Sequence, residues 1–332
     1  MSSTTTTLPS AFIWRRLHSL MGLWLVLFLI EHLLVNSQAA LLLGDSGRGF
    51  VELVNGIHNL PYLQVIEVTL LGIPILIHGI WGIKYLLTGK FNSSKTNGSA
   101  PSLNYGRNHA YTWQRITSWI LLFLLTFHIV KFRFVDYPGS VHVGGKNNYF
   151  APVTVDNGLY TVADRIGAKI YSVDEVERMR LEAEASVEDS QLLEVAGELR
   201  EKPGNEYDEQ KKIVLNSAQN LESKLQFSTA LSSKNLKPNE VMAVADNFAT
   251  VSLLIVRDTF KSPIYVALYT VFVLATCFHA FNGFWTFLIT WGWILKMSSQ
   301  KAMVKVAVGM MVIIAFLGLI AVWGTYWLNL KY

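Results

Sequence analysis

Five stretches of this chain are long and apolar enough to cross a bilayer, which limits its fold more than any other feature. They run near residues 17–34, 63–87, 116–135, 264–295 and 304–328. A spanning helix needs about 20 mostly apolar residues. In hydrocarbon each spanning segment must satisfy its own backbone polar groups, so such stretches specify helices. The third is read as one span despite Lys131 and Arg133, which sit at its end and can snorkel. Composition agrees. Charged residues are 16% of the chain and hydrophobic residues 51%, against about 25% charged in a soluble domain. The apolar content excludes a disordered chain. One cysteine, Cys277, excludes a disulfide scaffold, and no C-x-x-C-H run exists for covalent haem attachment. The first apolar run is long and lacks a small-residue cleavage site, so no cleavable signal is expected.

Five spans place the termini on opposite sides, and the distribution of basic loop residues chooses the orientation. One side receives Arg15, Arg16, Lys84, Lys90, Lys95, Arg107, Arg115, Lys296, Lys301 and Lys305 with no acidic residue among them. The other receives Asp45, Arg48 and Glu52 and the long segment 136–261. The N-terminus is therefore expected in the cytoplasm, with the segment 136–261 and the C-terminus outside. Trp14, Tyr62, Tyr85, Trp113, Trp291, Trp293, Trp323 and Trp327 fall near span ends, as in an aromatic belt.

The chain then divides into 1–135, with spans one to three; 136–261, an outer-face insertion; and 262–332, with spans four and five. The insertion carries 20 acidic and 14 basic residues, a net charge of −6, and all ten tryptophans lie outside it. Val176, Met179, Val187, Leu192, Val195 and Leu199 recur at helical spacing. Lys202-Pro203-Gly204-Asn205 should end that helix, and a second is expected over 207–232. The insertion is thus read as mainly helical, a hairpin of two helices. The apolar tract 247–260 is expected to lie on the membrane surface before span four.

Four histidines sit inside spans: His32 in the first, His78 in the second, His128 in the third and His279 in the fourth. Ionisable groups in hydrocarbon are costly and usually functional. His32, His78 and His279 each lie 15 residues into a span, about 22 Å at 1.5 Å per residue. His128 lies 12 residues in. Each is past the midplane of a core about 30 Å thick. Because consecutive spans run in opposite directions, His32 and His128 fall toward the outer side, and His78 and His279 toward the inner side. Paired imidazoles at two depths of a helix bundle suit two b-type haems. Zinc fits less well, with two histidines per depth and no cysteine or carboxylate set beside them. Gly79, Gly82, Asn282 and Gly283 flank the sites, where small residues allow either a macrocycle or a neighbouring helix to approach.

The strings RRLHSLMG and FLIEHLLVN in span one, LIHGIWG in span two, FHIVKFR in span three and FHAFNGFWTF in span four resemble a known family. It is the five-helix, di-haem cytochrome b anchor of succinate:menaquinone oxidoreductases and quinol:fumarate reductases. The strings occur in the family's order and cover nearly all of 11–330 except the insertion. The resemblance implies an all-α membrane protein whose first four helices bind haem, with His32 and His128 on the outer haem and His78 and His279 on the inner. It implies two haem b cofactors, menaquinone as substrate, and a place in a succinate:quinone oxidoreductase complex of the bacterial inner membrane. Flavoprotein and iron–sulfur subunits would dock on the cytoplasmic side. Membrane lipid is an expected partner and nucleic acid is not. The insertion departs from the family, whose members join spans three and four by a much shorter loop.

Haem propionates want cationic or hydrogen-bonding neighbours. Arg15, Arg16, His18 and Ser19 begin span one near the inner pair, and Lys131 and Arg133 end span three near the outer; interface anchoring is the simpler role for the basic ones. Quinone reduction needs an apolar slot, hydrogen-bond partners and a proton source. Glu31, Glu67 and Glu52 lie near the outer half as a possible proton relay, and His58 on the same side could contact the quinone. Two other readings stay open. One is the di-haem cytochrome b of another respiratory dehydrogenase or hydrogenase. The other is a haem-free transporter with histidines in a proton relay.

Overall fold

The computed structural model describes residues 8–40, 47–89, 93, 106–188, 191–201 and 209–331. Lys90, Lys95, Asp45 and the 202–205 break lie outside these. The chain forms two compact units. One is made of residues 1–134 and 260–328, the other of 135–259 and 329–332.

The first unit holds five helices long and apolar enough to cross a membrane: α1 (Ser10–Ser37), α3 (Leu63–Thr88), α4 (Gly106–Val135), α10 (Pro263–Thr290) and α11 (Met297–Asn329). A short helix, α2 (Arg48–His58), precedes α3. Helix α1 packs on α3 and α10, α4 packs on α10 and on α3, and α11 lies against α1 and α10. The first four spans therefore form a ring. Its two diagonals, α1 to α4 and α3 to α10, are not packed helix against helix.

Two devices satisfy backbone groups that the span sequences leave open. Pro74 has no N–H, so the Leu70 carbonyl loses its donor four residues on. A π-helical turn covers Val68–Gly72, and Trp24 Nε1 of α1 donates to the Leu70 carbonyl at 2.6 Å. At the end of α3 the buried Arg115 of α4 donates through Nη2 to the carbonyls of Tyr85 (3.1 Å) and Leu86 (2.6 Å). A cation there also meets the negative end of the helix dipole. Gly89 makes room: a Cβ there would fall 1.4 Å from Arg115 Nη1.

Span four ends earlier than apolar counting indicates, at Thr290 rather than residue 295. Gly292 adopts φ 76°, and the Gly292 and Trp293 amides donate back to the carbonyls of Ile289 and Leu288. This is a left-handed glycine cap, a stop that hydropathy does not register.

The second unit corrects the reading of the insertion as a helical hairpin. It contains a four-stranded antiparallel sheet of β1 (Gly139–Val143), β2 (Lys146–Thr154), β3 (Lys169–Tyr171) and β4 (Glu240–Ala245), in the order β1-β2-β4-β3. Around it are α5 (Leu159–Arg165), α6 (Val173–Glu188), α7 (Leu192–Glu201), α8 (Glu209–Ser232) and α9 (Phe248–Thr259). The helical pattern over 173–201 is two helices rather than one. Strands β1 and β2 join through Gly144 and Gly145, both at positive φ, as a two-residue hairpin turn requires. Met242 and Val244 of β4 cluster with Val176 of α6 and Leu231 of α8. The alternate residues Val241, Ala243 and Ala245 are buried too, and α9 packs on β2 and β4.

That packing overturns the membrane-surface role expected of 247–260. Ala249, Val251, Leu253, Leu254 and Ile255 of α9 are buried within the unit. Arg257 of α9 makes two bonds to the Asp156 carboxylate, at 2.7 and 2.8 Å, and Asp258 accepts from the Thr154 amide at 2.9 Å.

Candidate functional site

The four span histidines meet in two pairs across the two diagonals of the ring. The His32 and His128 ring centroids are 5.8 Å apart, with planes at 84°. Those of His78 and His279 are 6.2 Å apart, at 81°. His18, stacked on His78 at 4.1 Å, marks the second pair's level on α1. His32 follows it by 14 residues on the same helix, about 21 Å. The two pairs therefore occupy different depths.

Each ring is held through Nδ1. His78 Nδ1 is 3.1 Å from the His18 carbonyl. A carbonyl only accepts, so Nδ1 carries the proton and Nε2 a lone pair. His279 Nδ1 lies 3.4 Å from Ser118 Oγ and 3.5 Å from Thr117 Oγ1. Both hydroxyls donate to backbone carbonyls, of Gln114 and Trp113, and are left to accept from His279. His128 Nδ1 is 3.2 Å from the Tyr269 hydroxyl. His32 Nδ1 is 3.4 Å from Asn36 Nδ2, which donates to the His32 carbonyl.

Gln114 and Trp285, which sequence reasoning missed, join Asn282 in completing the inner pair. Trp285 Nε1 donates to Asn282 Oδ1 (2.9 Å), Asn282 Nδ2 to Gln114 Oε1 (2.7 Å) and Gln114 Nε2 to the His279 carbonyl (3.1 Å). Gln114, Thr117 and Ser118 share a face of α4 at i, i+3, i+4, a polar stripe leading into an apolar span. The glycine that matters most is Gly22, where a Cβ would lie 2.8 Å from His78 Cε1. It follows His18 by four residues and so faces the same way. By contrast, a Cβ at Gly79 meets nothing within 4 Å, and at Gly283 it meets only Gln114 Nε2 at 3.9 Å.

The other candidates scatter. His18 has a buried Nδ1 without a hydrogen-bond partner. Arg15 is exposed and Ser19 half-buried, while Arg16 stands 5.2 Å over the Trp291 ring. Lys131 lies 4.8 Å over the Tyr265 ring. Glu67 is paired with Arg133 at 2.9 Å, and Glu52 with Arg48 at 2.6 Å, both well exposed. Glu31 is exposed. His58 feels both Glu67 and Arg133; burial lowers its pKa, with Glu67 opposing and Arg133 assisting. Among the described residues, no three or more His, Cys, Asp or Glu converge as a metal-holding group.

The chain is similar to the succinate dehydrogenase cytochrome b558 subunit of Bacillus subtilis (strain 168), 30% identical over 130 residues. The match takes in 39% of this chain and 59% of that protein. No protein-family model and no solved structure matches the chain.

Proposed function

We propose that this chain is a di-haem cytochrome b that anchors a succinate dehydrogenase or fumarate reductase in the membrane and exchanges electrons with menaquinone. The observation that carries this is the pair of histidine couples spanning the open diagonals of a four-helix ring. Two imidazoles on one iron, at about 2.0 Å per metal–nitrogen bond plus about 1.1 Å to each ring centre, need centroids about 6 Å apart. The separations of 5.8 and 6.2 Å fit that need. The donor set of the inner pair fits as well: His78 Nδ1–H is spent on the His18 carbonyl and His279 Nδ1–H on the Ser118 and Thr117 hydroxyls, which leaves each Nε2 lone pair to meet iron, in the manner of metal-bound histidines. A haem held between the two imidazoles of each pair would supply one-electron transfer there.

What the chain does around such a group follows from its own residues. The His18 carbonyl and the Ser118 and Thr117 hydroxyls hold the inner rings in one tautomer. Gly22 lets α1 close on His78. The unpartnered Nδ1 of His18 is suited to a propionate. On the other level, His58, Glu67 and Arg133 form a charged group suited to a quinone and its protons. The basic loops set the proposed orientation, with flavoprotein and iron–sulfur partners on the cytoplasmic side. The Bacillus relative favours this reading over another dehydrogenase or hydrogenase.

The test is a reduced-minus-oxidised spectrum with a haem count on the purified protein. Two b-type haems per chain are expected. His78→Leu or His279→Leu should remove one spectral component, and His32→Leu or His128→Leu the other. Loss of the same component in His32→Leu and His78→Leu would break the pairing. Haem reduced by succinate in a complex carrying a flavoprotein separates the two respiratory readings.

A further inference from the structure

We propose that the groove between α4, α10 and α11 binds one anionic phospholipid. It encloses about 360 Å³, with Phe281 of α10 and Val304, Ala307, Val308 and Met311 of α11 among its walls and Arg107 of α4 at one end. Its lining comes from the first turns of α4, the second half of α10 and the first half of α11.

Arg107 is exposed. Its Nη2 donates to Gln300 Oε1 at 2.6 Å and to Met297 Sδ at 3.4 Å, and the guanidinium stands 5.7 Å over the Trp285 ring. All three neighbours are neutral, so they aim the cation without cancelling its charge. A guanidinium has five donors in a planar fork, matched to phosphate oxygens. Lys301, exposed, precedes Val304 by three residues and borders the same face of α11. Residues 296–305 hold three lysines and no acid. Basic groups at the membrane surface above an apolar slot between spans match an anionic headgroup and its acyl chain.

Charge and polarity argue against other occupants. A quinone is neutral and needs partners for two carbonyls. The Asn282 amide, on the groove wall, is already spent on Gln114 and Trp285.

The experiment is native mass spectrometry of the full chain, titrated with phosphatidylglycerol or phosphatidylcholine. One phosphatidylglycerol per chain is expected, in preference to phosphatidylcholine. Arg107→Gln with Lys301→Gln should weaken it about twenty-five-fold, at about fivefold per basic group. Ala307→Phe, which fills the groove and leaves the charge intact, should abolish it. Lys84→Gln, on another helix, should leave it unchanged. Equal binding of the two lipids overturns the proposal, as does unchanged binding in the double variant or recovery of a quinone in place of phospholipid. The readout needs no haem, so it stands or falls apart from the cytochrome reading.

Discussion

Leu76, in the second span, is 62% exposed, whereas Met242, in a central strand of the inserted unit, is fully buried. The contrast runs through both regions. Within the most apolar window of α4, no residue is buried. Lipid is as apolar as leucine, so burying such side chains against one another gains little. What specifies the bundle is its polar inventory: the Trp24 bond to a proline-orphaned carbonyl, the Arg115 cap and the anchored histidines. The inserted unit is built the other way, with a sheet covered on both faces and polar groups spent on joining its elements.

The largest difference between the two should come from truncating apolar side chains. Met242→Ala leaves a cavity in a closed core and should cost about 2–5 kcal/mol. Leu76→Ala should stay within about 0.5 kcal/mol. Chemical denaturation of both variants checks this. Tryptophan emission reports only on residues outside the insertion and should be unmoved by Met242→Ala at low denaturant. A cost at Leu76 equal to that at Met242 would erase the distinction.

Next comes Asp156→Ala, at about 3 kcal/mol, because Arg257 loses both short bonds in a mostly buried setting. The haem spectrum should not change. A lost spectral component would mean that the inserted unit and the histidine pairs are energetically coupled.

Legibility follows the same division. The spans were readable because a bilayer demands length and hydropathy and little else. The four histidines were readable because charge-capable groups are rare there. Gly22, Tyr269 and the chain from Trp285 to Gln114 were not, since their meaning depends on which helices are neighbours. In the insertion, β4 carries V-M-A-V-A after Glu240, an unbroken apolar run because both of its faces are covered, and periodicity cannot tell such a strand from a buried helix. Strand β2 carries Pro152, which argues against a strand, yet β1 pairs only as far as Phe150, so that edge asks no bond of it. The Gly144-Gly145 pair between V-H-V and K-N-N-Y-F was the available signal for a hairpin. The tract 247–260 misled because an amphipathic helix packed on a sheet has the same pattern as one lying on a membrane.

A smaller effect tests the polar inventory of the bundle. Trp24→Phe keeps the aromatic bulk and removes the indole N–H, leaving the Leu70 carbonyl without that donor. The expected cost is about 1–3 kcal/mol, read as a lower melting temperature of the haem spectrum. An unchanged melting temperature would show that the π-helical turn satisfies that carbonyl internally.

The smallest effect lies at the start of α6. The Ser172 amide donates to Glu175 Oε2 at 2.7 Å, and the Glu175 amide to Ser172 Oγ at 3.2 Å, a reciprocal capping box. Ser172→Ala should cost about 1 kcal/mol. Glu175 gives the matching pH dependence. The bonds from the Ser172 amide and hydroxyl hold its pKa below the ordinary 4.5. A depressed carboxylate contributes stability that is present above its ordinary pKa and lost as pH falls through the lowered value. The hydrogen-exchange protection factors of the first turn of α6 should therefore fall below pH 4.5 in the wild type, more than in Glu175→Gln. No lipid-facing residue of α1, α10 or α11 should show that response, because among the described residues none of their N-caps makes a side-chain bond.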